Sequence, residues 1–332
     1  MKYKNVVLTQ RGGPDVLQVQ EQALRAPQAK EVQIKVIACG VGRTDVAMRH
    51  GYYPYAPKIP FVPGYEIVGE VSAVGLAVSS FKKGDIVAAL TVYGGYSEYI
   101  FLEEEHLVPV PEHVRPDEAV ALILNYCTAY QVLHRVLEVK KGDTILITGA
   151  SGGVGSALVD LGKVAGLKMY GTVSKEKHQF AKDQGFIPVN YKSKDWEKEL
   201  NQELPNGLDY VIDGIGGTYI QKGFTVLKKG GTFVEYAYPD FIGMLTGLIK
   251  LKLLNLYPNG KKGELYGISN NYQQNKKTVL EDMRILFELL KEGKIKPVIS
   301  ERFPILEAEK ANRQLESGKV FGKIVLVSPE LI

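Results

Sequence analysis

Cysteine is scarce in this chain of 332 residues: Cys39 and Cys127 are the only two. Two thiols cannot make a disulfide framework, and the start Met1-Lys2-Tyr3-Lys4 lacks the apolar core of a secretory signal, so a reducing cytoplasm is the expected setting. A surplus of one charge is missing too. The 41 basic and 37 acidic side chains leave a formal charge of +4, scattered along the chain, which excludes the electrostatic footprint of a nucleic-acid binder. Long hydrophobic runs are also lacking. The greasiest stretch, 241–257, contains Lys250 and Lys252 and falls short of a membrane span, so no transmembrane helix is expected. There are no internal repeats or low-complexity segments.

What is present falls into two rhythms. At 45% hydrophobic residues the chain can build two domains, each with its own core. From Met1 to about Pro111, alternating runs such as Val32-Gln33-Ile34-Lys35-Val36 and Ile67-Val68-Gly69-Glu70-Val71 are cut by Gly and Pro, the pattern of antiparallel strands. From about Lys141 to Gly267, apolar runs at 144–147, 169–173, 210–212 and 232–234 are separated by helix-length segments, which predicts βαβ units in a parallel, doubly wound sheet. Residues 276–292 carry Val279, Leu280, Met283, Leu286, Phe287 and Leu290 at helical spacing, so they read as an amphipathic helix with a core-facing stripe. After it, 297–299 and 323–327 read as strands of a tail that returns to the first domain.

The strongest chemical signal is Thr144-Ile145-Leu146-Ile147-Thr148-Gly149-Ala150-Ser151-Gly152-Gly153-Val154-Gly155, placed where a strand turns into a helix. Small residues there let the backbone approach a pyrophosphate, and the helix end supplies unpaired N–H groups and a favourable dipole. The same stretch spells G-x-S-x-G, the nucleophile elbow of hydrolases. That reading needs an acid and then a histidine downstream, yet the only histidine after Ser151 is His178, at the start of the next predicted helix. Dinucleotide binding is the better fit. The second strand ends in Ser174 where NAD sites usually carry an acid, and Lys175 and Lys177 bring positive charge within reach of a 2′-phosphate, which favours NADPH.

Three further blocks narrow the class: Cys39-Gly40-Val41-Gly42-Arg43-Thr44-Asp45, Pro63-Gly64-Tyr65-Glu66-Ile67-Val68-Gly69, and Lys83-Gly84-Asp85-Ile86-Val87. With Thr128-Ala129-Tyr130, the glycine loop and the ending Gly322-Lys323-Ile324-Val325-Leu326, they resemble medium-chain dehydrogenases and reductases over nearly the whole chain, closest in pattern to zinc-free quinone oxidoreductases. The resemblance implies a Rossmann dinucleotide-binding domain at 123–268 and a GroES-like antiparallel β-barrel domain built from 1–122 and 269–332. Zinc-dependent members carry C-G-x-C-H-T-D and G-H-E, with metal held by the second Cys, the His and a Cys ahead of T-x-Y. Here those positions are Gly42, Tyr65 and Leu124, none of which ligates zinc, and two cysteines cannot supply a structural four-cysteine cluster. No metal is expected.

The resemblance further implies hydride transfer to a quinone or an activated alkene, and a homodimer joined through the edge of the nucleotide-binding sheet, for which 264–268 is the candidate strand. It assigns Thr128 to the nicotinamide side, Gly152, Gly153 and Val154 to the pyrophosphate loop, and Ser174, Lys177 and Tyr191 to the adenosine-phosphate end. Lys175 joins them on charge and position, and Tyr238 joins because ligands collect at the carboxyl ends of sheet strands. Arg43, Tyr53 and Tyr65 are the residues expected at the substrate, with Tyr65 donating to a carbonyl oxygen or simply packing as a core tyrosine. The asparagine that quinone oxidoreductases usually place near the nicotinamide is replaced by Gly42. The rival readings are a zinc alcohol dehydrogenase, which the ligand positions disfavour, and a non-catalytic NADPH-binding or sensing protein. The apolar stretch 241–257 is expected to cover a hydrophobic pocket or to form a dimer contact, ahead of touching a membrane surface, for which Lys250 and Lys252 alone are thin support.

Overall fold

The computed structural model describes every residue except 239, 259 and 332. The chain separates into two compact units, Met1–Cys127 with Ser269–Ile332, and Thr128–Ile268. The first division, after Cys127, falls within the helical run of Pro116–Ala121, Leu122–Tyr126 and Cys127–Gln131.

In the first unit, β1 (Lys2–Leu8) and β2 (Leu17–Ala23) form a hairpin. The main sheet contains β3 (Glu31–Val41), β4 (Glu66–Val74), β5 (Ile86–Leu90), β6 (Tyr99–Glu103) and β7 (Val108–Pro109). Alternation along β3 puts Val32, Ile34 and Val36 on one buried face, where they pack with Ile67, Val71 and Val87.

The second unit is a parallel sheet of β8 (Thr144–Ile147), β9 (Lys168–Val173), β10 (Ile187–Asn190), β11 (Leu208–Asp213), β12 (Leu227–Glu235) and β13 (Lys262–Leu265). Its order, β10-β9-β8-β11-β12-β13, reverses direction between β8 and β11, as in doubly wound nucleotide-binding sheets. β13 is an outer strand, with β10 at the opposite edge. It begins and ends earlier than the expected 264–268: Tyr266 turns inward to donate its hydroxyl proton to Gln131 at 2.6 Å, and Ile268 already opens a helix.

The tail rejoins the first unit through β14 (Ile299–Pro304) and β15 (Lys323–Val327), the latter antiparallel to β3 with Ile324 opposite Val41. β14 starts at Ile299, later than expected, and lies parallel to β15, the one parallel pair in a sheet otherwise antiparallel among the described residues.

Four helices matter for the sites: α1 (Arg43–His50), α2 (Gly153–Val164), α3 (Phe241–Leu256) and α4 (Ile268–Lys291). α4 contains the expected amphipathic stretch, with Val279, Met283, Leu286 and Phe287 buried, and a further turn before it across a non-helical Asn275. α3 buries only Gly247 and Leu251, so most of its apolar side chains face outward. No described helix is long and apolar enough to cross a membrane.

Candidate functional site

The glycine loop joins β8 to α2. Gly149 sits at φ +66°, where a side chain is disfavoured, and a Cβ on Gly155 would lie 2.3 Å from the Gly149 carbonyl oxygen. α2 has no side-chain cap at Gly152, which leaves the N–H groups of Gly153, Val154 and Gly155 without a partner one turn back. A Cβ added at Gly152 would meet only the Gly149 oxygen, at 3.3 Å, so the space before the helix end is open. Unspent N–H groups, the positive end of the dipole and an open cradle together make an anion site. The expected Gly152, Gly153 and Val154 stand there together. Ser151, the rival nucleophile, accepts from Lys177 Nζ at 3.1 Å.

At the end of β9, Ser174 is buried and its hydroxyl donates to the Glu176 carboxylate, while Lys192 Nζ lies 3.3 Å from Glu176 Oε1. These contacts, Ser174 foremost, pull the Glu176 carboxyl down to about 2. An anion is thus already seated on the donors that would meet an incoming phosphate, and a dinucleotide phosphate fits the same donor set. Lys175 is exposed; Lys177 is half-buried, its ammonium shifted down by desolvation, and reaches the glycine loop. Tyr191 bonds the Val173 carbonyl through its N–H at 3.3 Å and leaves its ring exposed. Lys192 was missed by the sequence reading, although it directly follows Tyr191. Thr128 is buried in the helical turn Cys127–Gln131.

Tyr238 follows β12 and buries a hydroxyl that has no hydrogen-bond partner. Beside it, Glu235 is fully buried with both carboxylate oxygens equally unpartnered. A Cβ at Gly247 of α3 would come within 2.8 Å of the Tyr238 ring and 3.3 Å of Glu235 Oε1, so α3 lies directly on this pair. Burial, and then the neighbouring Asp213 charge, pushes the Glu235 carboxyl up to about 8 against the opposing pull of Lys250. Asp213 itself is satisfied by the Thr148 hydroxyl and the N–H groups of Ile215 and Gly216. No sequence signal marked Glu235.

In the first unit, two buried carboxylates gather the three positions where zinc-dependent relatives hold metal. Asp45 accepts from Gly42 N at 2.9 Å and from Gly64 N at 3.1 Å, which ties the start of α1 to the residue before Tyr65. Glu66, paired with Lys323, accepts from Leu124 N at 2.6 Å. A Cβ on Gly42 would touch Leu124 Cδ2 at 3.5 Å. Asp45 is pushed up to about 6 by burial, although both N–H groups and Lys323 oppose the shift.

Tyr65 is fully buried, and its hydroxyl bonds Tyr53 at 2.6 Å and also Ser269; Tyr53 lies 2.8 Å from Ser269 Oγ. Three hydroxyls therefore close a triangle at the lost ligand position. Burial raises both phenols, so they stay protonated donors at neutral pH. Arg43 stands exposed at the first position of α1. Ser269 was not foreseen, because its partners are 204 and 216 residues away.

Known proteins share this layout. Residues 28–112 match the alcohol dehydrogenase GroES-like domain and residues 185–326 the zinc-binding dehydrogenase family. Rattus norvegicus quinone oxidoreductase is 31% identical, with 95% of each chain covered. The chain belongs to the quinone oxidoreductase-like family of the medium-chain dehydrogenase/reductase superfamily. This medium-chain reductase is also 32% identical to the Homo sapiens synaptic vesicle membrane protein VAT-1 homolog, over 97% of its own length and 86% of the human protein. Among solved structures, Escherichia coli quinone oxidoreductase complexed with NADPH matches with a TM-score of 0.88 at 26% identity, covering 98% of this chain and 99% of that one. One of the matching families is named for zinc, yet the ligand positions of this reductase hold Gly42, Tyr65 and Leu124.

Proposed function

We propose that this medium-chain reductase reduces a quinone or an activated alkene conjugated to a carbonyl, using NADPH and no metal. The observation that carries the reading is the Tyr53–Tyr65–Ser269 hydroxyl triangle at the position where zinc-dependent relatives place a Lewis acid. NADPH, when bound, supplies the hydride. The loop at Gly152, Gly153 and Val154 would hold its pyrophosphate through the N–H groups of Gly153 and Val154, and Ser174, Lys175, Lys177 and Lys192, with Tyr191, would hold the 2′-phosphate end. Thr128 would serve the nicotinamide end, and Tyr238 would contribute from the carboxyl end of β12, where ligands of such sheets collect. Tyr53 meets the substrate oxygen with a proton that burial keeps on the phenol, and the exposed Arg43 offers its charge to the same oxygen. Steady-state NADPH oxidation with a panel of quinones and cyclic enones tests the reading. Consumption with none of them would leave the non-catalytic NADPH-binding reading in its place.

Two expectations follow directly. Metal analysis of the purified protein should find no stoichiometric zinc, and chelators should leave turnover unchanged; one tightly bound zinc per chain would reopen the alcohol dehydrogenase reading. The protein should also be a homodimer, because β13 leaves a strand edge open and α3, with Ile242, Leu245, Ile249, Leu253 and Leu256 exposed, presents an apolar face beside it. Light scattering at micromolar concentration measures this, and a monomer contradicts it.

A further inference from the structure

The triangle is more than two phenols and a neighbour. Each of its oxygens carries one proton, and each side of the triangle is within hydrogen-bonding reach. If all three sides are made, every proton is consumed inside the ring and none is left for a ligand. Tyr65 and Ser269 are buried at 0% and 3% exposure, whereas Tyr53 is partly exposed, so a ligand reaches the ring only through Tyr53.

The geometry points to Ser269 as a positioning residue for reduction, one that opens the triangle into a donor chain ending on Tyr53 when a carbonyl oxygen arrives. The inference rests on the proposed reductase reading and extends it to a residue that touches no substrate. In the open state Tyr53 donates to the carbonyl, and its oxygen accepts from Tyr65 or Ser269, each of which keeps the other satisfied. Successive donors in a chain polarise one another, so the Tyr53 proton becomes a better donor than an isolated phenol offers. With hydride supplied by bound NADPH to the carbon remote from the carbonyl, the alkene pair shifts to the bond beside the carbonyl carbon and the carbonyl π pair moves onto oxygen, and that enolate oxygen is held by the strengthened Tyr53 bond until a solvent proton reaches the adjacent carbon. The gain is largest when charge has developed, so it acts on kcat rather than on substrate affinity.

Without Ser269 the two phenols remain as a pair. Tyr65 then donates to Tyr53 or loses its partner, but the three-member cooperation is gone. The hydroxyl also has a fixed place: Ser269 lies in the first turn of α4, buried at 3% exposure, with Tyr272 of the same short segment buried after it.

The test is a double-mutant cycle in steady-state turnover of a cyclic enone, with Ser269→Ala, Tyr65→Phe and the pair. Each single change should lower kcat about tenfold with KM changed much less, and the pair should be no worse than the poorer single variant, because both break one chain. Ser269→Thr, which keeps the hydroxyl, should recover most of the loss. Tyr65→Phe alone carries the test if Ser269→Ala fails to fold. Singles at wild-type kcat, or effects that multiply in the pair, would overturn the inference while the reductase reading stands. Calorimetric binding of a nitrophenolate, whose anionic oxygen mimics the enolate, gives a readout apart from turnover: a severalfold weakening in Ser269→Ala supports the chain even if wild-type protein reduces no acceptor, whereas unchanged binding in that circumstance overturns it.

Discussion

Glu235→Gln should stabilise the protein above neutral pH and have little effect in acid. The wild-type carboxyl is fully buried under α3, with neither oxygen hydrogen-bonded, and its folded-state pKa is about 8 against an ordinary 4.5. A carboxyl raised in the folded state favours folding most while it is protonated. That contribution is fully present below about 4.5, falls as pH rises toward 8, and is gone above it. At ~1.4 kcal/mol per unit the loss is about 3 to 5 kcal/mol, the lower figure allowing for some water reaching the carboxylate. The groups that face it set the sign: Asp213 beside it repels the ionised form, Tyr238 is neutral, and Lys250 on α3 is the one attraction among the described residues. Gln is neutral at every pH and of nearly the same shape. Urea unfolding from pH 5 to 9 should show the wild type weakening and the variant level, with the difference growing toward pH 8. Parallel curves would mean that the carboxyl is already paired or neutral throughout.

Cofactor choice carries the second large effect. NADPH should bind more tightly than NADH, and replacing Lys175 and Lys177 together with Ala should remove most of the difference. Hydrogen bonds to charged groups contribute roughly 1.5 to 3 kcal/mol each, nearer the low end at an exposed site, so the pair should weaken NADPH on the order of a hundredfold. NADH has no 2′-phosphate and should scarcely respond. Lys192 keeps part of the preference, because its ammonium is shared with Glu176 and is within reach of the same anion. Ser174→Asp should go further, since it repels the phosphate and offers the ribose hydroxyls an acceptor. Dissociation constants for both cofactors at fixed salt decide the matter; equal affinities in the wild type would defeat the assignment.

The parts legible in sequence were those written in local pattern. Val32, Ile34 and Val36 alternate because β3 shows one face to the core, and 323–327 could be read as a strand because Ile324 to Val327 form a continuous run of β-favouring apolar residues. The glycine loop was legible because small residues at a strand-to-helix turn have few uses. Tyr266 misled the reading of β13: as an apolar residue in a strand-like run it resembles an edge, but its hydroxyl binds Gln131 inside the unit. The helix read at 276–292 is preceded by a short helical segment, 268–274, from which the non-helical Asn275 divides it, and that segment is too short to show a periodicity of its own. Ser269 and Glu235 were invisible for another reason. Their roles come from burial and from partners distant in the chain, and no spacing rule records that a glutamate lies beneath Gly247.

The central claim is that hydride passes from NADPH to an electron-poor carbon without metal help. Its most direct test is turnover of a cyclic enone with NADPH carrying deuterium at the transferable C4 position, in chelator-treated protein. The account predicts one deuterium per product molecule, on the carbon remote from the carbonyl, at a rate that zinc does not raise and that falls sharply in Tyr53→Phe. Product without deuterium, or turnover that appears only when zinc is added, would contradict it.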